Sequence, residues 1–106
     1  MPMSTTEIKK MIAAKVSAFR TELSRNGKWD AESQDRRATT FAIMLIDSEK
    51  SNLEDSIEDL KDKSTSYEYI EHWDEILGSI SAIRSMQSDL EAYKAWVMLD
   101  TDNHAM

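Results

Sequence analysis

His72 has Glu68, Glu71 and Glu75 within about one helical turn, and an imidazole among carboxylates is the arrangement in this 106-residue chain closest to a metal site. A helical di-iron centre, however, needs Glu-x-x-His from each of two helices. Here the residue three before His72 is Tyr69, and no second helical histidine is expected. Asp100-Thr101-Asp102 opens like a calcium loop but lacks the glycine and the distal glutamate that complete one. No metal and no cofactor are expected.

Catalytic patterns are equally thin. The two glycines form no phosphate cradle and no Gly-x-Ser-x-Gly elbow. A hydrolytic triad would have to recruit His72 or His104 without a supporting order of residues. Paired carboxylates occur in so many places that they point to no particular acid–base site. The expectation is a protein that is not an enzyme.

Charge is the more informative feature. The net charge is −7, and the span from Glu49 to Glu75 holds ten acidic and three basic residues, which accounts for all of it. Residues 1–37 hold eight basic residues against five acidic ones. Glu54, Asp55, Glu58, Asp59 and Asp62 fall at spacings of three and four, where like charges on a helix repel by a few tenths of a kcal/mol per pair. They also lie toward a helix C-terminus, where the macrodipole disfavours anions. Local stability does not account for them.

Glu68, Glu71, Asp74 and Glu75 instead open a helix, where the dipole favours carboxylates. Tyr67, Tyr69 and Trp73 stand among them, and amphipathic aromatics beside charge are typical interface anchors. The plain alternative is a solvated acidic face with aromatics closing the end of a core, and Trp73 does fall on an apolar stripe. Lys9, Lys10, Lys15, Arg20 and Arg25 lie on several sides of one helix, which is no nucleic-acid face. They are expected to balance the acidic span, in this chain or in a neighbouring subunit.

The elements that must position these groups are helical. Good helix formers dominate, β-branched residues never run together as a strand would require, and two glycines and one proline leave little turn chemistry for a β fold. Ser4-Thr5-Thr6-Glu7 reads as a capping box, and Ile8, Ile12, Val16, Phe19 and Leu23 make one stripe ending at Asn26-Gly27. Trp29-Asp30 announces a second helix near Ala31, with a stripe of Ala38, Phe41, Leu45, Leu53, Ile57 and Leu60. The polar gap from Asp47 to Asn52 contains no breaker, so continuity to about Lys63 is preferred, with a break at Ser51-Asn52-Leu53-Glu54 as the alternative.

Lys63 to Ser66 reads as a loop, and Thr65 with Glu68 as a capping box that starts the third helix. Its stripe is Trp73, Ile76, Ile80, Ile83, Leu90 and Val97, with Gln87 and Lys94 as polar interruptions.

The fold predicted is all-α, one domain over 1–106, with helices at about 5–26, 31–63 and 66–99 and a frayed tail at 100–106. The second and third helices form a long antiparallel hairpin. The shorter first helix covers only the half nearest Gly27, so the other half projects as an arm or is paired in an oligomer.

No apolar run approaches a membrane span, MPMSTTEIKK has no signal-peptide core, and cysteine is absent, so a soluble cytoplasmic protein is expected. The acidic balance argues against direct contact with nucleic acid or an anionic membrane. The functional expectation is a protein–protein interaction module (adaptor, chaperone-like subunit or inhibitor) that offers the acidic, aromatic-bearing arm to a basic partner, such as a nucleic-acid-binding protein. Glu54, Asp55, Glu58, Asp59, Asp62, Tyr67, Tyr69, Glu71 and Trp73 are the contact residues it implies. Two alternatives stand beside it: a phage-type inhibitor imitating nucleic acid, and a subunit forming a homodimer through Leu53, Ile57, Leu60, Ile76 and Ile80.

Overall fold

Ser4 caps the first helix: its backbone is extended (φ −67°, ψ 160°) and its hydroxyl accepts the Glu7 N–H at 3.2 Å. The structure, a computed structural model, describes residues 4–104. It contains three α-helices, α1 (Thr5–Asn26), α2 (Ala31–Ser64) and α3 (Trp73–His104), with a 3₁₀ segment (Tyr67–His72) before the last. Gly27, at φ 72°, ends α1 in the left-handed conformation that an L side chain disfavours. Asp30 then caps α2 by accepting the Ser33 N–H at 2.7 Å, and Gln34 Nε2 donates to the Trp29 carbonyl at 2.8 Å. The joint between α1 and α2 is thereby fixed from both sides.

The 34-residue α2 runs unbroken through Asp47–Asn52. The polar gap there faces polar residues of α3. Lys94 Nζ donates to Asp47 at 3.0 Å, Lys50 pairs with Glu91, and Gln87 Nε2 donates to Glu54 at 2.8 Å. Steps of three and then four along α2 (47, 50, 54) meet equal steps back along α3 (94, 91, 87), which fixes an antiparallel register. The interruptions of the two stripes are therefore partners of one another.

The apolar core is continuous along the hairpin. Ile8 and Ile12 of α1 join Ile46, Leu53 and Ile57 of α2 and Ile76, Ile80, Ile83 and Leu90 of α3. Ile12, Ile46, Ile57 and Leu90 are fully buried, each contributing roughly 1.5–3 kcal/mol by removal from water. On α2 Ala38, Leu53 and Ile57 of the expected stripe are buried, and the stripe shifts by one position only at Phe41 and Leu45. Ala42 and Ile46 are buried, while Phe41, Leu45 and Leu60 are half-buried, because α1 lies to one side of α2 and α3 to the other. Phe41 meets Phe19 of α1, with ring centroids 4.6 Å apart.

Two expected boundaries are corrected. Thr65 does not open a helix: its hydroxyl donates back to the Asp62 carbonyl at 3.1 Å, finishing α2. The chain then takes a 3₁₀ turn, with Tyr69 at φ −110° and ψ 15°, so the α-helix begins at Trp73 and not at 66. At the other end α3 continues past Leu99 to His104, since Asp100–Asn103 holds neither glycine nor proline to stop it. Residues 105 and 106 of the expected tail lie outside the described residues.

α1 packs on α2 and on the C-terminal part of α3, where Lys9 Nζ lies 5.5 Å from the Tyr93 ring centre, and it makes no contact with the 3₁₀ segment. The distal hairpin, from about residue 53 to 86, projects as an arm from a molecule 59 × 24 × 18 Å in extent. No helix among the described residues is long and apolar enough to cross a membrane.

The two glycines should respond oppositely to alanine. Nothing lies within 4 Å of where a Gly78 Cβ would stand, inside regular helix, so Gly78→Ala should stabilise by about 0.5–1 kcal/mol. Gly27→Ala should destabilise by about 1–2 kcal/mol because of its positive φ. Urea denaturation midpoints of the two variants, moving in opposite directions, check both.

Candidate functional site

Four of the five acids of α2, Asp55, Glu58, Asp59 and Asp62, occupy the face turned away from α3, and Glu54 lies at its border, within reach of α3. Leu53 and Ile57 point inward, and Glu54, Asp55, Glu58, Asp59 and Asp62 take the exposed positions between and beyond them. Glu54 accepts from Gln87, Glu58 pairs with Lys61 at 3.4 Å, and Asp59 pairs with Lys63 at 3.3 Å. The carboxylates of Asp55 and Asp62 have no hydrogen-bond or ion-pair partner among the described residues. The paired residues are themselves exposed, and such pairs contribute about 0–1 kcal/mol each. Repulsion along this face is only partly relieved.

The three aromatics divide by role. Trp73 is half-buried against the core, and its indole N–H donates to the Ser66 carbonyl at 3.0 Å, so it closes the turn between the helices. Tyr69 is also half-buried, with Lys63 Nζ 5.8 Å from its ring centre. Tyr67 is 83% exposed, 6.3 Å from the Trp73 ring, and is the aromatic that the tip offers to solvent. Glu71 is exposed on the 3₁₀ segment. Ile70 and Leu77, absent from the sequence-based set, are half exposed beside them and widen the apolar part of the tip.

His72 and the cationic residues stand apart from this surface. His72 Nδ1 approaches Glu75 at 3.4 Å, but no three metal-ligating side chains gather among the described residues. Three residues per 3₁₀ turn set Glu68 and Glu71 on one edge and His72 on the next. Several cationic side chains of α1 and of the start of α2 are engaged locally, far from the arm. Arg20 pairs with Asp35 at 2.6 Å, Arg36 with Glu32 at 3.1 Å, and Arg37 stacks on Trp29 at 3.5 Å. Of the apolar residues expected to be uncovered in the arm, Leu53, Ile57, Ile76 and Ile80 are buried between its own two helices, and Leu60 is half-buried. That seam is already closed.

The surface that sequence reasoning missed lies at the opposite end. Trp96, Met98 and Leu99 are 59%, 48% and 61% exposed on α3. A cleft of about 250 Å³ between the helices is lined by Val16, Ala38, Ala42, Tyr93 and Trp96. The signal was present: from Ala92 to Leu99 only Lys94 is charged, so apolar residues occupy positions off the core stripe as well as on it.

Titration follows these contacts. The hydrogen bond and charge of Lys50 hold the Glu91 carboxyl below its ordinary value, and Asp47 correspondingly raises Lys94. The Ser33 N–H lowers Asp30, and burial raises Tyr93. Compared with known protein families, curated proteins and solved structures, the chain matches none.

Because the Glu91 carboxyl is lowered on folding, its contribution to stability is complete above the unfolded value and is lost as pH falls through the folded one. Replacing its partner in Lys50→Met should return Glu91 to the ordinary carboxylate range and remove that part of the acid sensitivity. Carboxyl NMR titration of Glu91 in the two proteins checks it.

Proposed function

We propose that this chain is a non-enzymatic protein–protein interaction module whose projecting arm engages a basic surface on a partner protein. The observation that carries the reading is the outward acidic face of α2. Four carboxylates, Asp55, Glu58, Asp59 and Asp62, crowd it near the helix C-terminus with Glu54 at the border; two of the four are unpartnered, and all lie on the part of the hairpin that α1 does not cover. An arrangement that costs local stability is accounted for when a cationic partner offsets the repulsion. Oriented attraction would speed encounter, and Tyr67, Ile70 and Leu77 would supply area that contact removes from water. Trp73 and Tyr69 support the tip from behind more than they touch the partner.

Imitation of nucleic acid has less support. The acids from Glu54 to Asp62 span about 12 Å of helix, roughly a third of a B-DNA turn.

The test compares two baits, the wild-type chain and the Asp55→Lys, Glu58→Lys, Asp62→Lys variant, in a lysate of the cells that make the protein. Proteins retained at low salt are quantified by mass spectrometry. A basic protein should be captured by the wild type, released by added salt and reduced at least tenfold on the variant. Identical captures by the two baits would remove the arm from the binding surface.

A further inference from the structure

The outer side of the α1–α2 joint is cationic and apolar at once. A groove of about 440 Å³ there is lined by Phe19, Phe41 and Met44 with Arg36, Arg37 and Thr40, and no carboxylate lines it. Met44 is 62% exposed, and the half-buried Phe19 and Phe41 rings pack together beside it. Residues 15–40 hold six basic and four acidic side chains, and each of the four acids is engaged. Glu22 pairs with Arg25, Glu32 with Arg36 and Asp35 with Arg20, while Asp30 caps α2. The next acid along α2, Asp47, is held by Lys94. Lys15, Lys28 and Arg37 are left without a carboxylate among the described residues, and Lys15 stands one turn before Phe19 on α1.

Arg37 is also the best prepared of these cations. Its guanidinium lies 3.5 Å from the Trp29 ring centre, and the Trp29 carbonyl accepts from Gln34. Stacking occupies one face of the guanidinium plane and leaves its N–H edges to donate, two in parallel, to a carboxylate.

We propose that this groove binds an acidic segment of a partner protein, with a carboxylate on Arg37 and a large apolar side chain on Phe41 and Met44. An extended segment fits the spacing. Arg37 and Phe41 stand one turn, about 6 Å, apart along α2, and alternate side chains of an extended chain point the same way about 6.6 Å apart. The segment recognised therefore carries an acid and a large apolar residue two positions apart. Nucleic acid or an anionic membrane would cover more than the groove and meet a chain of net charge −7, whereas a short segment meets the cations alone. The first unpaired carboxylate further along this face, Asp55, lies about 16 Å beyond Met44, roughly two Debye lengths at physiological ionic strength. Asp62 is about 38 Å along α2 from Arg37, so the groove and the acidic arm can hold different partners at once, and neither site depends on the other.

The test titrates the isotopically labelled full chain, followed by NMR, with three peptides. The first is Gly-Glu-Ser-Phe-Ser-Glu-Gly, the second has lysine for both glutamates, and the third has serine for the phenylalanine. The first should bind roughly tenfold or more tighter than either of the others, with shifts centred on Arg37, Phe41 and Met44, and added salt should weaken it. Arg37→Glu and Met44→Ser, both at exposed sites, should keep the helical circular dichroism and each weaken that binding roughly tenfold or more. No binding of the first peptide up to about 5 mM, equal binding of the lysine peptide, or shifts centred elsewhere would each overturn the proposal. Self-association in sedimentation that Arg37→Glu abolishes would give the groove to a second copy instead. Flotation with phosphatidylserine vesicles that the same substitution abolishes would give it to a membrane, and either result overturns the peptide assignment.

Discussion

Everything in this molecule depends on the register between α2 and α3, and a polar layer sets it. Apolar seams of two long helices can slide by a heptad at modest cost, because one leucine or isoleucine substitutes for another in the facing hole. Asp47–Lys94, Lys50–Glu91 and Glu54–Gln87 meet in one alignment. Lys50 and Lys94 are only about a quarter exposed, at 28% and 25%, so a slip would leave ammonium groups half-buried beside the wrong partners. Such pairs add little to net stability; their effect is to make the alternatives worse. With the register fixed, the position of the turn, the place where α1 can dock and the length of the arm all follow.

The same layer divides the hairpin by environment. On its proximal side α1 adds a third wall, and Ile8 and Ile12 close the core over Ile46. On its distal side two helices bury their seam against each other, with Trp73 and Tyr69 sealing the end. The distal part thus presents no apolar seam of its own, and its character comes from what faces outward: carboxylates along α2, and Tyr67, Ile70 and Leu77 at the tip. The proximal part is the reverse, with locally paired charges and exposed apolar residues on α3.

The sequence was most legible where a local rule acted alone. Ser4, Gly27 and Asp30 fix helix ends through their own backbone neighbours, and those ends stand where capping chemistry puts them. Thr65 was misread because two helices compete for it, and its hydroxyl satisfies the one that ends there. The α2 stripe holds at Ala38, Leu53 and Ile57 and is displaced by one position only at Phe41 and Leu45, because a helix packed on two neighbours buries the direction between them. Gln87 and Lys94 looked like flaws in one seam and Asp47–Asn52 like a gap in another; only the register shows that they answer each other. Among the arm residues, burial separated Trp73 from Tyr67, a distinction that spacing does not carry. Trp96 and Leu99 fall off the core stripe of α3, so only the near absence of charge from Ala92 to Leu99 points to them.

The separation of charge along a body 59 Å long gives the molecule a large permanent dipole. At physiological ionic strength the Debye length is about 8 Å, a small fraction of that body. A cationic surface at close range therefore feels the carboxylate end while the far end is screened, and the resulting torque turns the molecule tip first. Broadside encounters with such a surface gain little from the field. The geometry selects an angle of approach before any side chain touches.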